Sequence, residues 1–138
     1  MIRAWTFAPR DGVPPPVGPF VHATATGETL YVTGQMPTRP DGTLVDGGIA
    51  AQTDQVLSNL RRVLELLGGD LTDAVSVRAY LCDWEDYAAF NAAYVQWFPG
   101  RLPSRTCVGV GGLAVGARVE IDLVAWREEG WMRAEAAA

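Results

Sequence analysis

Apolar residues recur at spacings of three and four in two segments of the chain, which predicts two amphipathic helices. The first helix is predicted over residues 49–67 and ends at a Gly-Gly pair. The second is predicted over residues 84–98, with Asp83 as its N-cap, Asp86 in a variant of the capping box and a Pro-Gly pair as its stop. Because each helix is apolar on one side only, both are expected to pack on the same face of a sheet.

Alternation of apolar and polar residues marks the predicted strands. Residues 20–25 and 29–33 form a hairpin, residues 74–82 form a third strand, and residues 105–111 and 117–126 close the domain. In the third strand the alternation places four apolar residues on one face, namely Val75, Val77, Ala79 and Leu81.

The predicted order β-β-α-β-α-β-β indicates one α+β domain over residues 1–138. The pattern does not decide whether residues 2–8 form a further strand. Residues 127–138 are charged and then alanine-rich, and they are expected to form a loose C-terminal extension.

The last two strands are expected to pair as an antiparallel hairpin. Thr106, Val108 and Val110 would then face the helices, while Arg105, Cys107 and Glu120 would face away from them. This second face is half apolar and half polar, and no helix remains to cover it. The pattern therefore indicates a homo-oligomer in which another subunit covers the face.

Charge and composition exclude several classes of function. The net charge is −5, lysine is absent and the eleven arginines are scattered, which argues against a nucleic-acid partner and excludes a Schiff-base lysine. Two cysteines and one histidine supply neither a disulfide framework nor the parts of a metal site or a Ser-His-Asp triad. With neither a membrane-spanning run nor a signal-peptide pattern, the expected location is the cytoplasm.

Arg105 and Glu120 are the candidate catalytic pair. In the expected hairpin they are diagonal neighbours, about 7–8 Å apart. The guanidinium of an arginine suits a carboxylate, and a glutamate can orient or deprotonate water. A structural ion pair is the alternative, and the residue pattern alone favours it. Arg101 is a second possible anion anchor, and Cys107 is either a reactive thiol or a small packing residue.

Six short motifs then change the balance between these alternatives. In chain order they are GPFVHA from Gly18, VTGQMP from Val32, QTDQVLSNL from Gln52, FNAAY from Phe90, PSRTCV from Pro103 and RVEID from Arg118. Together they resemble the motifs of the RidA/YjgF family of reactive intermediate deaminases, also called L-PSP endoribonuclease-like. The resemblance covers residues 18–125, nearly the whole chain.

The resemblance implies a chorismate-mutase-like fold of the bacillus type, assembled as a homotrimer with active sites in the clefts between subunits. It implies hydrolysis of enamines and imines, such as 2-aminoacrylate, to keto acids and ammonia without a metal or organic cofactor. Arg105 matches the residue that binds the substrate carboxylate, and Glu120 matches the one that positions water. Cys107 matches a backbone contact, and Gly34 and Asn91 match pocket-lining positions.

The chain departs from the family pattern at four positions. Phe20, a substrate-binding position, stands where a tyrosine is usual, and His22 replaces a glutamine. Gly109 and Gly112 stand where the best-known members carry Glu and Arg. These changes leave the catalytic pair intact but could reshape the pocket. His22 is either a structural residue or a donor or acceptor that offsets the missing phenol.

Three functions therefore stay open at this level. The leading one is an imine or enamine deaminase, and the first alternative is a non-catalytic protein of the same fold that binds a small carboxylate. The ribonuclease or translation-inhibitor role sometimes attached to the family is disfavoured by the acidic balance and the absence of lysine.

Overall fold

The computed structural model describes residues 1–134, so residues 135–138 of the expected extension lie outside the described residues. Six strands and two helices are present in this range. The strands are β1 (Ile2–Trp5), β2 (Ala23–Thr26), β3 (Thr29–Gln35), β4 (Ala74–Leu81), β5 (Ser104–Gly109) and β6 (Val119–Trp126). The helices are α1 (Gly48–Leu66) and α2 (Tyr87–Val95). The N-terminal strand that the sequence left undecided is present as β1.

One mixed sheet carries all six strands in the order β1-β2-β3-β6-β4-β5. Neighbouring strands are antiparallel except β4 and β5, which run parallel. The residues of the sheet that are buried point to the side where α1 and α2 pack. We name the uncovered side the open face. The α+β fold with two helices on one face of a mixed sheet is confirmed.

The predicted pairing of the two closing strands is wrong. Strand β5 pairs with β4 instead, with Val77 opposite Arg105, and β6 lies between β3 and β4. The reason is that α2 serves as the crossover of a β-α-β unit, which makes the strands on either side of it parallel. Strand β5 is therefore an edge strand. Residues 110–118 connect it to β6, on the other side of β4.

Two local predictions also need correction. Val75 is exposed, because the register between β4 and β6 shifts between Ala74 and Ser76 and leaves it as a bulge. The second helix is shorter than predicted, since its first turn is a 3₁₀ turn and it ends at Val95 instead of Phe98. Asp83 accepts a hydrogen bond from the Glu85 amide at 3.0 Å, as expected of a cap. Asp86 instead pairs with Arg118 at 2.7 Å.

Residues 127–134 are not loose. Trp131 is 1% exposed within the core, and its indole N–H donates to the Glu28 carbonyl at 2.8 Å. The Ala134 amide donates to the Leu66 carbonyl at 2.8 Å. The segment thus covers the end of α1 and the β2-β3 turn.

Within residues 1–134, neither helix combines the length and apolar character needed to cross a membrane.

Candidate active site

Arg105 lies on the helix-covered side of the sheet, not on the open face. It is in register with Val77 of β4, which in turn faces Leu123 of β6, and both of these residues are buried under the helices. The predicted orientation of β5 is therefore reversed. Val108 and Thr106 point outward and are exposed.

Helix α2 holds the Arg105 guanidinium through one terminal nitrogen. Its Nη2 group donates to Asn91 Oδ1 at 2.8 Å and to the Tyr87 hydroxyl at 3.2 Å. Three aromatic rings face the same cation, with centres 4.8 Å (Tyr94), 5.2 Å (Phe90) and 5.8 Å (Tyr87) from Cζ. The Nε and Nη1 groups donate to no side chain or backbone carbonyl within residues 1–134. These two groups remain available to donate to a carboxylate.

Cys107 follows two residues later on the same side of β5, packed against the core. Burial raises the pKa of the Cys107 thiol, and the nearby charge of Arg105 lowers it by less. A thiol with a raised pKa is a poor nucleophile at neutral pH, so the packing interpretation is favoured. We name Arg105, Cys107, Asn91 and Tyr87 the arginine cluster. Tyr87 was not among the predicted site residues, although its place one turn before Asn91 on a helix is a usable signal.

Glu120 lies on the open face. It is opposite Tyr80 of β4, which in turn is opposite the exposed Val108 of β5. Burial raises the pKa of the Glu120 carboxyl, and the neighbouring charge of Asp122 raises it further. The carboxyl group packs directly over Gly34, where a Cβ would lie 2.8 Å from Glu120 Cδ. A side chain at position 34 would therefore displace the Glu120 carboxyl group from this place.

Phe20 lies near Gly34 rather than near Arg105. Both residues line a cleft of about 330 Å³ on the open face, together with Arg78 and Asp122. Arg78 donates to Asp122 at 2.8 Å, and the Tyr80 hydroxyl donates to the other oxygen of Asp122 at 3.0 Å. We name Glu120, Gly34 and Phe20 the glutamate cluster.

The six predicted site residues thus form two groups rather than one. The arginine cluster contains Arg105, Cys107 and Asn91, and the glutamate cluster contains Phe20, Gly34 and Glu120. Within one chain the sheet separates the two groups, so the expected diagonal contact between Arg105 and Glu120 is absent. A structural ion pair between them is excluded by the same geometry.

The two competing residues have structural roles. His22 is buried, accepts a hydrogen bond from the Phe7 amide at Nδ1 and donates from Nε2 to the Pro14 carbonyl at 2.8 Å. Arg101 donates to the backbone carbonyls of Thr72 and Ala74. Across residues 1–134, no group of three or more His, Cys, Asp or Glu residues is arranged to hold a metal ion.

Comparisons with known proteins agree with this fold. The family model described as Endoribonuclease L-PSP matches residues 12–127. The 3-aminoacrylate deaminase RutC of Acinetobacter baylyi is 40% identical over 116 residues, which is 83% of this chain and 92% of that protein. The 2-iminobutanoate/2-iminopropanoate deaminase of Capra hircus is 35% identical over 113 residues, covering 81% of this chain and 82% of that protein.

A solved structure extends the comparison to three dimensions. RidA from the Antarctic bacterium Psychrobacter sp. PAMC 21119 superposes with a TM-score of 0.81 at 33% identity, over 85% of this chain and 95% of that one. The match of the family model, the identity to the relatives and the shared fold lead to one conclusion. The chain belongs to the RidA/YjgF family.

Proposed function

We propose that this protein hydrolyses 2-imino acids and their enamine tautomers to 2-keto acids and ammonia, at a site shared between two copies of the chain. The observation that carries the proposal is the state of Arg105. Its Nη2 group is held by Asn91 and Tyr87, while its Nε and Nη1 groups are free to donate to a carboxylate. The two relatives named above as deaminases support the same type of reaction.

The chemistry needs little beyond positioning. Once the imine nitrogen is protonated, the adjacent carbon is electrophilic, and a water oxygen can bond to it while the C=N electron pair moves to nitrogen. Glu120 accepts the proton that this water loses. The same proton then returns to the nitrogen. Glu120 next accepts the hydroxyl proton as the C=O bond forms and the C–N bond breaks, and it passes that proton to the departing ammonia, which leaves as ammonium. A carboxyl with a raised pKa suits both halves of this transfer.

The partner in this scheme is a second copy of the same chain. Arg105 and Glu120 lie on opposite faces of one sheet, so one substrate can contact both only if they come from different subunits. The open face also carries partly exposed apolar side chains that a subunit interface would cover, among them Tyr31, Val108 and Trp126. The homotrimer is the assembly proposed here, and the resemblance supports it.

The first experiment measures release of keto acid from imines that an amino-acid oxidase generates in place. The Arg105→Ala variant is expected to lose at least about a hundredfold in turnover, because loss of a buried charge partner costs roughly 2–5 kcal/mol. Arg39→Ala, which removes an exposed loop arginine, is the matched control. Unchanged melting temperatures would establish that both variants fold. Wild-type turnover retained in Arg105→Ala would overturn the assignment.

The same assay separates the alternatives. A non-catalytic carboxylate-binding protein would bind keto acids through Arg105 but would not accelerate their release. The ribonuclease role has less support, because four arginines are paired with carboxylates, namely Arg78 with Asp122, Arg118 with Asp86, Arg127 with Asp73 and Glu129, and Arg133 with Asp11. Salt-dependent binding of RNA would revive that role.

The proposed location is the cytoplasm, where the free thiols of Cys82 and Cys107 stay reduced.

A further inference from the structure

A half-exposed indole extends the arginine cluster. The ring of Trp84 stacks on that of Tyr87, with centres 4.5 Å apart and planes 19° from parallel. The hydroxyl of Tyr87 in turn accepts a hydrogen bond from Arg105. Trp84 is 52% exposed, so much of its surface is free although its orientation is fixed by the stack. A continuous apolar wall therefore runs from the guanidinium to the indole.

Strand β5 forms the floor beneath this wall. Arg105, Cys107 and Gly109 alternate along its helix-covered side, and Gly109 lies under the indole. A Cβ at Gly109 would lie 3.7 Å from Trp84 Cε3, which is an ordinary contact, and the backbone there is not left-handed. Neither sterics nor conformation requires glycine at this position. Its effect is to leave the space beside the indole unfilled.

Single exposed aromatic residues are common on protein surfaces and need no functional explanation. Trp84 differs because it is held by a stack on Tyr87, which binds Arg105, and because its neighbour on the floor lacks a side chain. Asp83 and Glu85 flank it in the chain, which makes this surface unsuitable for a second carboxylate.

We propose that Trp84, Tyr87 and Gly109 form a subsite for the side chain of the substrate, and that this side chain is aromatic or long and apolar. The inference rests on the proposed function, which places the substrate carboxylate on Arg105. The Tyr87 ring centre lies 5.8 Å from Cζ of Arg105, and the indole lies one stacking distance further. These steps match the reach of an arylalanine-like imino acid. A small imine such as that of alanine would leave the indole uncovered.

The test compares kcat/KM for the imines of phenylalanine and alanine in wild type, Trp84→Ala and Gly109→Val. The first variant removes the stacking surface, and the second fills the space beside it. Both are expected to lower the phenylalanine-to-alanine ratio about tenfold, the range set by one aromatic contact. Val95→Ala, which truncates an exposed apolar residue at the end of α2, should keep the wild-type ratio. An unchanged ratio in both variants, or a wild-type preference for the imine of glutamate, would overturn the subsite.

Binding of the keto-acid products distinguishes this inference from the proposed function. Calorimetry is expected to show tighter binding of phenylpyruvate than of pyruvate, with the difference lost in Trp84→Ala. If wild type hydrolyses no imine but keeps this difference, the proposed function fails and the subsite stands. If imines are hydrolysed but both keto acids bind equally, the subsite is wrong and the proposed function stands.

Discussion

At the scale of single residues, Glu120 combines a functional group with a cost to the fold. Burial and the charge of Asp122 both disfavour its ionised form, and both raise its pKa. A carboxyl whose folded pKa exceeds its unfolded value binds more protons in the native state over that interval. The free energy of unfolding therefore falls as pH rises from about the ordinary value of 4.5 through the raised value. The arrangement suits a group that must accept and return a proton.

The variant Glu120→Gln separates these two effects. At neutral pH it should stabilise the fold by at most about 1 kcal/mol, because water still screens a partly exposed carboxylate. It should also lower the turnover of imines about a hundredfold, the range of one acid-base group. Below the ordinary carboxyl pKa the difference in stability should vanish, since wild-type Glu120 is then protonated in both states. Melting temperature measured against pH checks this expectation.

Glu65→Gln provides the control, since Glu65 is exposed on α1. This variant removes an exposed carboxylate outside both clusters and is expected to keep wild-type turnover of imines. A Glu120→Gln variant whose stability differs from that of wild type by the same amount at every pH would contradict the account. Full turnover in that variant would remove Glu120 from the proposed mechanism.

At the scale of elements, the sequence predicts which segments form strands. It does not decide which side chains of β5 face the helices and which face away. Alternation along residues 104–109 fits either face, because Val108 is apolar and Arg105 carries a long apolar stem. The orientation of these side chains depends on the pairing of β5 with β4. This pairing is a long-range contact, and the local alternation of apolar and polar residues does not encode it. Helix α1 was predictable to within one residue at each end, since its stripe is long and unambiguous.

The C-terminal segment shows the same limit. Residues 127–134 have no period and a charged start, which predicts a loose tail. Trp131 nevertheless enters the core, because the end of α1 and the β2-β3 turn leave an apolar space that an indole fills. Only the three-dimensional arrangement of distant elements supplies this information. The same reason explains why Arg105 and Glu120 were expected to be neighbours but lie on opposite faces of the sheet.

The segment between β3 and α1 illustrates how a single side chain can hold an element in place. Asn59 of α1 is buried, and its amide donates to the carbonyls of Met36 at 3.1 Å and Thr38 at 2.9 Å. Asn59→Ala leaves both carbonyls without these donors and is expected to destabilise the fold by about 2 kcal/mol or more. The midpoint of denaturant unfolding measures this loss.

Gln55→Ala is the matched control, because Gln55 donates to the same Asn59 side chain from a half-buried position. It should cost less than about 1 kcal/mol, the net worth of one ordinary hydrogen bond. Equal destabilisation by the two substitutions would show that the buried carbonyls do not depend on Asn59.

At the scale of the whole molecule, the sheet divides the candidate site into two clusters. The arginine cluster lies between β5 and α2, and the glutamate cluster lies on the open face around β3 and β6. Neither cluster can carry out the proposed hydrolysis alone, since one binds the carboxylate and the other handles the proton. The proposed activity is therefore a property of the assembly, and it can be tested without determining how many subunits the assembly contains.

Two inactive variants should restore activity to each other when they assemble together. In mixed oligomers of Arg105→Ala and Glu120→Gln, some interfaces combine an intact Arg105 from one subunit with an intact Glu120 from its neighbour. Random mixing of equal amounts in a closed ring gives about one quarter of wild-type sites, whatever the number of subunits. Release of keto acid from co-refolded protein measures the recovery. Arg105→Ala mixed with Asn91→Ala should recover nothing, because both changes affect the same cluster. Failure of the first mixture, despite demonstrated co-assembly, would mean that the two clusters do not meet across a subunit interface.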